Sequence, residues 1–482
     1  LLRPFLLTDL SRPGGKLFSV VTAVLRRISW LNVRQIQATL NAFAAILADG
    51  SVVTWGGPRY GGDSSGVQDQ LKDVQQIQAS SRAFAAILGD GSVVTWGDAC
   101  RGGDTSGVQD RLANVQHIQA NPNAFAAILG DGSVVSWGDA ISGGDNTVVQ
   151  DKLKHVQQIQ SSHGAFAAIT GDGSVVTWGD AHHGGDSSAV QDQLKNVRAI
   201  QASSFAFAAL LGDGSVVTWG LSLHGGDSLA VQDQLKHVHE IQATASAFAA
   251  IRADGSVVTW GVDGRGGDSS AVKEKLTNLR HIQSNPDAFA AILADGSVVS
   301  WGAGRCGGDS SAVQGQLKDV QQIQATHGAF AAILCDGSVV TWGDAKLGGD
   351  STVVQDQLKN VQQIQATHGA LAGAFAAVLG DGSVVTWGDA RCGGDSSAVQ
   401  GYGREHQLKN VRQIPADDDV SASITDDGYV VTLAAAGSGG DSSVVLNLMN
   451  VLLVQATTGN LRYSPTFSWL GVMTYNLISA CS

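Results

Sequence analysis

Apolar residues in this chain gather into two short runs around an Asp-Gly pair, and the arrangement returns every 41 residues. In the unit Val74 to Asp110 the runs are AFAAIL and SVVTW, on either side of Gly89-Asp90-Gly91. Two apolar, β-rich runs about Asp-Gly predict a β-hairpin. A shorter run before them, VQQIQA, predicts a further strand. These strands are named A (VQQIQA), B (AFAAIL) and C (SVVTW). With Asp90 and Gly91 as the two turn residues, Leu88 faces Val93, Ile87 faces Val94 and Ala85 faces Trp96. One face then carries Phe84, Ala86, Leu88, Val93 and Thr95. The other carries Ala85, Ile87, Val94 and Trp96. A hairpin with one wet face alternates apolar with polar residues. This one is apolar on both, so its neighbours in the array are expected to cover both.

Beyond strand C, the unit runs through a four-residue gap into GGD, where paired glycines predict a kink or bulge. The next stretch, SSAVQDQLKNV in the fourth copy, reads two ways. Val190, Leu194 and Val197 sit at helical spacing, and Ser188-x-x-Gln191 resembles a capping box. The expectation adopted is a short edge strand at SSAV, followed by one helical turn or a loop.

Full units carry Trp55, Trp96, Trp137, Trp178, Trp219, Trp260, Trp301, Trp342 and Trp387. A tenth, decayed unit has Leu433 in place of Trp, and Ser19 to Thr22 repeats the strand C pattern. Two insertions break the period, at Leu371 to Ala374 and at Gly401 to Glu405. The organisation expected is a degenerate or non-repeat segment at 1–32, a tandem array over 33–456 and an unmatched tail at 457–482. The fold class expected is all-β.

The phrase V.QI.A…AFAAIL.DGSVVTWG….GG, nine times in register from Val33 to Ala456, resembles the repeat of the regulator of chromosome condensation superfamily. Its period is shorter than that of the superfamily's founder and closer to that of the compact β-lactamase-inhibitor-protein type. The resemblance implies a β-propeller of four-stranded blades, here built from about ten units. An open superhelical array or a β-solenoid of the same units is the alternative. This chain departs from the pattern in three ways. It has GG where the family has GQ, it mostly lacks the Gly-x-x-His before strand B, and ten units exceed the family's seven blades.

Copies differ from one another chiefly in two gaps. The gap between A and B reads TLN, SSR, NPN, SHG, SSF, TAS, NPD and THG. The gap after C reads GPRY, DACR, DAIS, DAHH, LSLH, VDGR, AGRC, DAKL and DARC. In an up-and-down meander these two gaps emerge at one end of every sheet, so the variable residues are expected on a single rim. Candidate partner-binding residues are the bulky or charged ones there: Arg59, Tyr60, Arg82, Arg101, His163, His182, His183, Phe205, His224, Arg265, Arg305, Lys346 and Arg391. Arg, Tyr and Phe are frequent interface anchors.

Net charge is −13, which disfavours direct contact with phosphate backbones and suits a basic partner. Glycine is abundant, 61 residues against 7 Pro, as many turns require. The five Cys (100, 306, 335, 392 and 481) have no metal-knuckle or disulfide spacing and read as free thiols of a reducing compartment. The chain begins at Leu1 and is read as a fragment. It holds no apolar run long enough to span a membrane. One Asp per GGD is too sparse for calcium and reads as a turn acceptor. His163, His182, His183 and His224 share the variable rim, but no ligand spacing supports zinc or nickel. Neither a nucleophile elbow, a Walker loop nor HExxH occurs. The function expected is a non-enzymatic, intracellular (cytoplasmic or nuclear) protein-binding scaffold, monomeric and without cofactor or metal. The resemblance also implies two alternatives. One is a guanine-nucleotide exchange factor, for which the insertions are too short to form a wedge. The other is a recognition fragment of a ubiquitin ligase, although no HECT domain is present.

Overall fold

The computed structural model describes residues 33–367, 373–392 and 394, together with short strands at 30–31, 411–413, 421–425, 430–433 and 448–449. The Ser19 to Thr22 remnant, the Gly401 to Glu405 insertion and the tail lie outside the described residues, as does Leu371 with Ala372. The fold is an all-β array. Nine units each form an antiparallel three-stranded sheet in the order A-B-C, from Val33–Ala38, Ala42–Leu47 and Val52–Gly56 to Val361–Ala366, Ala374–Leu379 and Val384–Gly388. The decayed tenth unit also pairs three strands, Val411–Gln413, Ser421–Thr425 and Val430–Leu433. Trp30–Leu31 and Leu448–Met449 pair in parallel.

The hairpin forms where the pattern places it, but its register is one residue off the two-residue-turn expectation. Leu88 N–H donates to Ser92 O and Gly91 N–H to Leu88 O, both at 2.9 Å, so Gly89, Asp90 and Gly91 are all loop. This is a three-residue turn closed by a glycine at φ +76°. Asp90 decides it. Its Oδ1 accepts from Ser92 N–H at 2.9 Å and from Ser92 Oγ at 2.6 Å. Trp96 therefore faces Phe84, not Ala85, and Ala85 faces Thr95. In all nine units the Phe and Trp rings stack, with centroids 5.0 to 5.4 Å apart. Such a pair contributes about 0.5–1.5 kcal/mol beyond its buried area.

Both hairpin faces are buried, each by a different neighbour. Ala83, Ala85, Ile87 and Val93 of the second unit pack against Phe125, Ala127, Val135 and Trp137 of the third. The Phe84, Ala86, Val94 and Trp96 face packs against the first. From the second unit to the ninth, each indole also donates Nε1–H to a glycine carbonyl one unit back, as Trp96 does to Gly61 at 2.9 Å. That glycine opens the GGD triplet. Gly61 holds φ +91°, and a Cβ there would lie 2.6 Å from the Phe84 ring. A Cβ on Gly62 would lie 2.5 Å from the Gly56 carbonyl. The paired glycines thus mark close approach as well as a kink.

Among the described residues no fourth strand forms. SAVQDQ of the fourth copy is a 3₁₀ helix, Ser188–Gln193. The residue that resembled a capping glutamine serves the sheet instead. Gln191 Nε2 donates to Val175 O, on the outer edge of strand C, at 3.0 Å. Seven units carry this clasp at 2.9 to 3.1 Å, from Gln68, Gln109, Gln150, Gln191, Gln232, Gln314 and Gln355. A side chain supplies the donor that a fourth strand would have brought, and it blunts an open edge.

Two outcomes are expected. Gly61→Ala should lower unfolding free energy by about 2–4 kcal/mol, from strained φ and overpacking. Gly66→Ala, with no atom within 4 Å of the added methyl, should be near neutral. Chemical denaturation of the two variants checks this. Acid is the second test. Hydrogen bonds from the turn serines, side chain first and then backbone, hold the Asp90, Asp131 and Asp213 carboxyls below their ordinary value of 3.8. A carboxyl lowered on folding stabilises above its unfolded value and loses that contribution as pH falls through the folded one. The thermal midpoint should therefore hold from neutrality and fall from about pH 4 downward. Asp90→Asn should lessen the fall, as read by a melting series in pH.

Candidate functional site: a two-row rim

The gap between A and B and the gap after C do share one rim. Asp98 N–H, after strand C, donates to Arg82 O of the A–B gap at 3.0 Å. Within the rim, each gap position has a fixed task. First positions of the A–B gap are always Ser, Thr or Asn, and they are buried. They tie the two gaps together. Ser80 Oγ donates to Arg101 O at 2.8 Å, and Asn121 Nδ2 donates to Ser142 O at 2.7 Å. Second positions carry a backbone ladder between units: Leu40 N–H donates to Ser81 O and Ser81 N–H to Pro122 O, both at 3.1 Å.

Strand C is followed by a three-residue 3₁₀ turn in most units, such as Ala99–Arg101. Asp98 caps that turn, accepting from Cys100 N–H at 2.9 Å. The turn divides its residues into an inner and an outer row. Its third residue points at the A–B gaps of its own unit and the next. Arg82 lies over the Tyr60 ring at 5.3 Å and 3.9 Å from Asp98. Arg101 bonds Asn123 Oδ1. Arg265 Nε meets buried Asp287 at 3.2 Å, and the Cys306 thiol donates to the other oxygen of Asp287 at 3.7 Å. Burial, then the Asp287 charge, pushes that thiol's pKa up. Gly164 leaves space for His183, since a Cβ there would lie 3.1 Å from the imidazole.

The rim histidines belong to this inner row. His163 and His183 have ring centroids 5.9 Å apart, and Phe205 stacks on His183 at 5.0 Å and meets His224 in a tilted contact at 4.5 Å. Phe205 thereby stands between the imidazoles. Asp180 takes His183 Nδ1 at 2.9 Å, and Ser246 takes His224 Nδ1 at 2.8 Å. Burial, then the Arg265 charge, lowers the His224 pKa. Among the described residues no group of three metal-ligating side chains forms.

The outer row is the middle residue of each turn: Arg59, Cys100, Ile141, His182, Leu223, Gly264, Arg305 and Lys346, all exposed. Ile141 and Leu223 are 72% and 76% exposed. The thirteen sequence candidates therefore divide. Arg59, His182, Arg305 and Lys346 stand in the outer row. Tyr60, Arg101, His183, His224 and Arg265 hold the rim together from the turns, as His163, Phe205 and Arg82 do from the A–B gaps. The Arg391 side chain lies outside the described residues. Residue size and charge had missed Ile141 and Leu223. Position in the gap, one residue before the residue preceding GG, finds them.

No family model matches this chain, and no curated protein matches it. Matching solved structures include the computationally designed protein Ika8, 14% identical, over 65% of this chain and 99% of that one, with a TM-score of 0.31. Prp20p of Saccharomyces cerevisiae matches at 18% identity over 57% of this chain and 72% of its own, TM-score 0.32. Human WBSCR16 matches at 13% identity over 57% and 77%, TM-score 0.33. Among the described residues no helix is long and apolar enough to cross a membrane.

The two rows should respond differently to truncation. Arg265→Ala leaves the buried Asp287 carboxylate without its cation and should destabilise by about 1–3 kcal/mol. Lys346→Ala should stay within about 0.5 kcal/mol of the parent. Urea unfolding followed by tryptophan fluorescence measures both.

Proposed function

We propose that the chain is a propeller-type, non-enzymatic protein-binding module whose partner is read by the outer row. One observation carries this reading: the exposed middle residue changes from unit to unit while the positions around it are held by repeated hydrogen bonds. A rigid repeat scaffold with one diversified position per unit suits recognition of an extended surface. The repetition also argues against catalysis, which needs unlike residues converging once. The inner row acts by positioning the outer one.

The triple variant Arg59→Glu, Arg305→Glu, Lys346→Glu tests this. It should fold with unchanged tryptophan emission yet lose proteins that the parent captures on a resin. An identical captured set would refute the outer-row reading. Nucleotide release from small GTPases should stay at background. Release above background would replace the scaffold by an exchange factor.

A further inference from the structure

The Gln clasp on strand C has one exception among the eight units whose clasp position is described. In the sixth unit, position 273 is Lys, exposed, and no side-chain amide reaches Val257 O, the equivalent edge carbonyl. A groove of about 550 Å³ opens at this place. It is floored by strand C, Val257–Gly261, and bordered by the fifth unit. Leu223 and Val231 supply apolar walls, and Asp227, Asp263 and Asp268 stand around it against the single ammonium of Lys273. Leu223 and neighbouring Leu229 are 76% and 80% exposed. A larger groove, about 1060 Å³, lies on the same flank of the fourth unit, but there Gln191 closes the edge carbonyl of Val175. Groove size is thus not what singles out the sixth unit.

We infer that this unclasped edge is a docking site for an extended polypeptide segment that alternates aliphatic with basic residues. A strand edge with an open acceptor calls for a backbone N–H, which an extended segment provides. The apolar walls take its aliphatic side chains. Three carboxylates against one ammonium select for cationic ones, in keeping with the acidic chain as a whole. The site lies on the outer flank and takes Leu223 from the outer row but not Arg59, Arg305 or Lys346, so the charge-reversed triple variant leaves it intact and the two readings fail separately.

The probe is a fluorescein-labelled peptide of about eight residues, strand length, alternating valine and lysine. A twin carries N-methylated backbone amides, which keeps the side chains and removes the donors. Fluorescence anisotropy with the full chain should show saturable binding that weakens as salt rises. The twin should bind about tenfold more weakly, the loss of one or two net hydrogen bonds. Lys273→Gln installs the residue that seven sister units use, so it should fold, close Val257 O and bind the peptide about tenfold more weakly. Absence of saturable binding would overturn the proposal, as would equal binding of the twin or of Lys273→Gln. Self-association that Lys273→Gln abolishes would assign the groove to a second copy and overturn it equally.

Discussion

A hairpin that is apolar on both faces cannot be left in water, and the rest of this structure depends on that constraint. Phe84 and Trp96 stack on one face, while Ala85, Ile87 and Val93 cover the other. Only sibling units match those two faces in shape, so each sheet is buried between its predecessor and its successor. The indole N–H adds direction, because it reaches back to a glycine carbonyl of the preceding unit. Packing of this kind is quasi-one-dimensional, and stability resides in interfaces as much as in the units themselves.

The rim inherits its order from this packing. Because the sheets stack in fixed register, gap residues of adjacent units fall next to one another at a constant pitch. Pairs such as Arg265 with Asp287 and His183 with Phe205 then become possible, and each unit's variation must suit its neighbour. What reads as diversity in the sequence is partly mutual accommodation. Gly164 beside His183 shows it: the small residue is there because the large one is. The outer row, exposed at every described turn, is the part of the rim least bound by such accommodation.

Much of this was legible in the sequence. Periodicity located the strands, and doubly apolar runs required burial between neighbours. The single-residue register error came from treating Asp90-Gly91 as a two-residue turn, when the Ser92 bonds to Asp90 favour a three-residue loop. The absent fourth strand was obscured because Gln191 looks like a helix cap in one dimension and acts as an edge donor in three. The candidate site was legible only as a rim. Sorting it into rows needed the turn geometry, since Arg101 and Arg59 are alike in chemistry and differ only in which way the 3₁₀ turn points them. One sequence signal for that sorting went unread: the first residue of every A–B gap is Ser, Thr or Asn.

The indole bond also bears on how such a chain changes over generations. It spans 35 residues between most neighbours and 39 where the ninth unit's A–B gap is longer, with the bond itself intact. Extra residues are therefore tolerated at the rim and excluded from the seam. Because every seam is made of the same parts, gain or loss of one whole period rejoins matching surfaces. Copy number is then the natural variable of inheritance in this lineage, and length is expected to evolve in jumps of a complete unit.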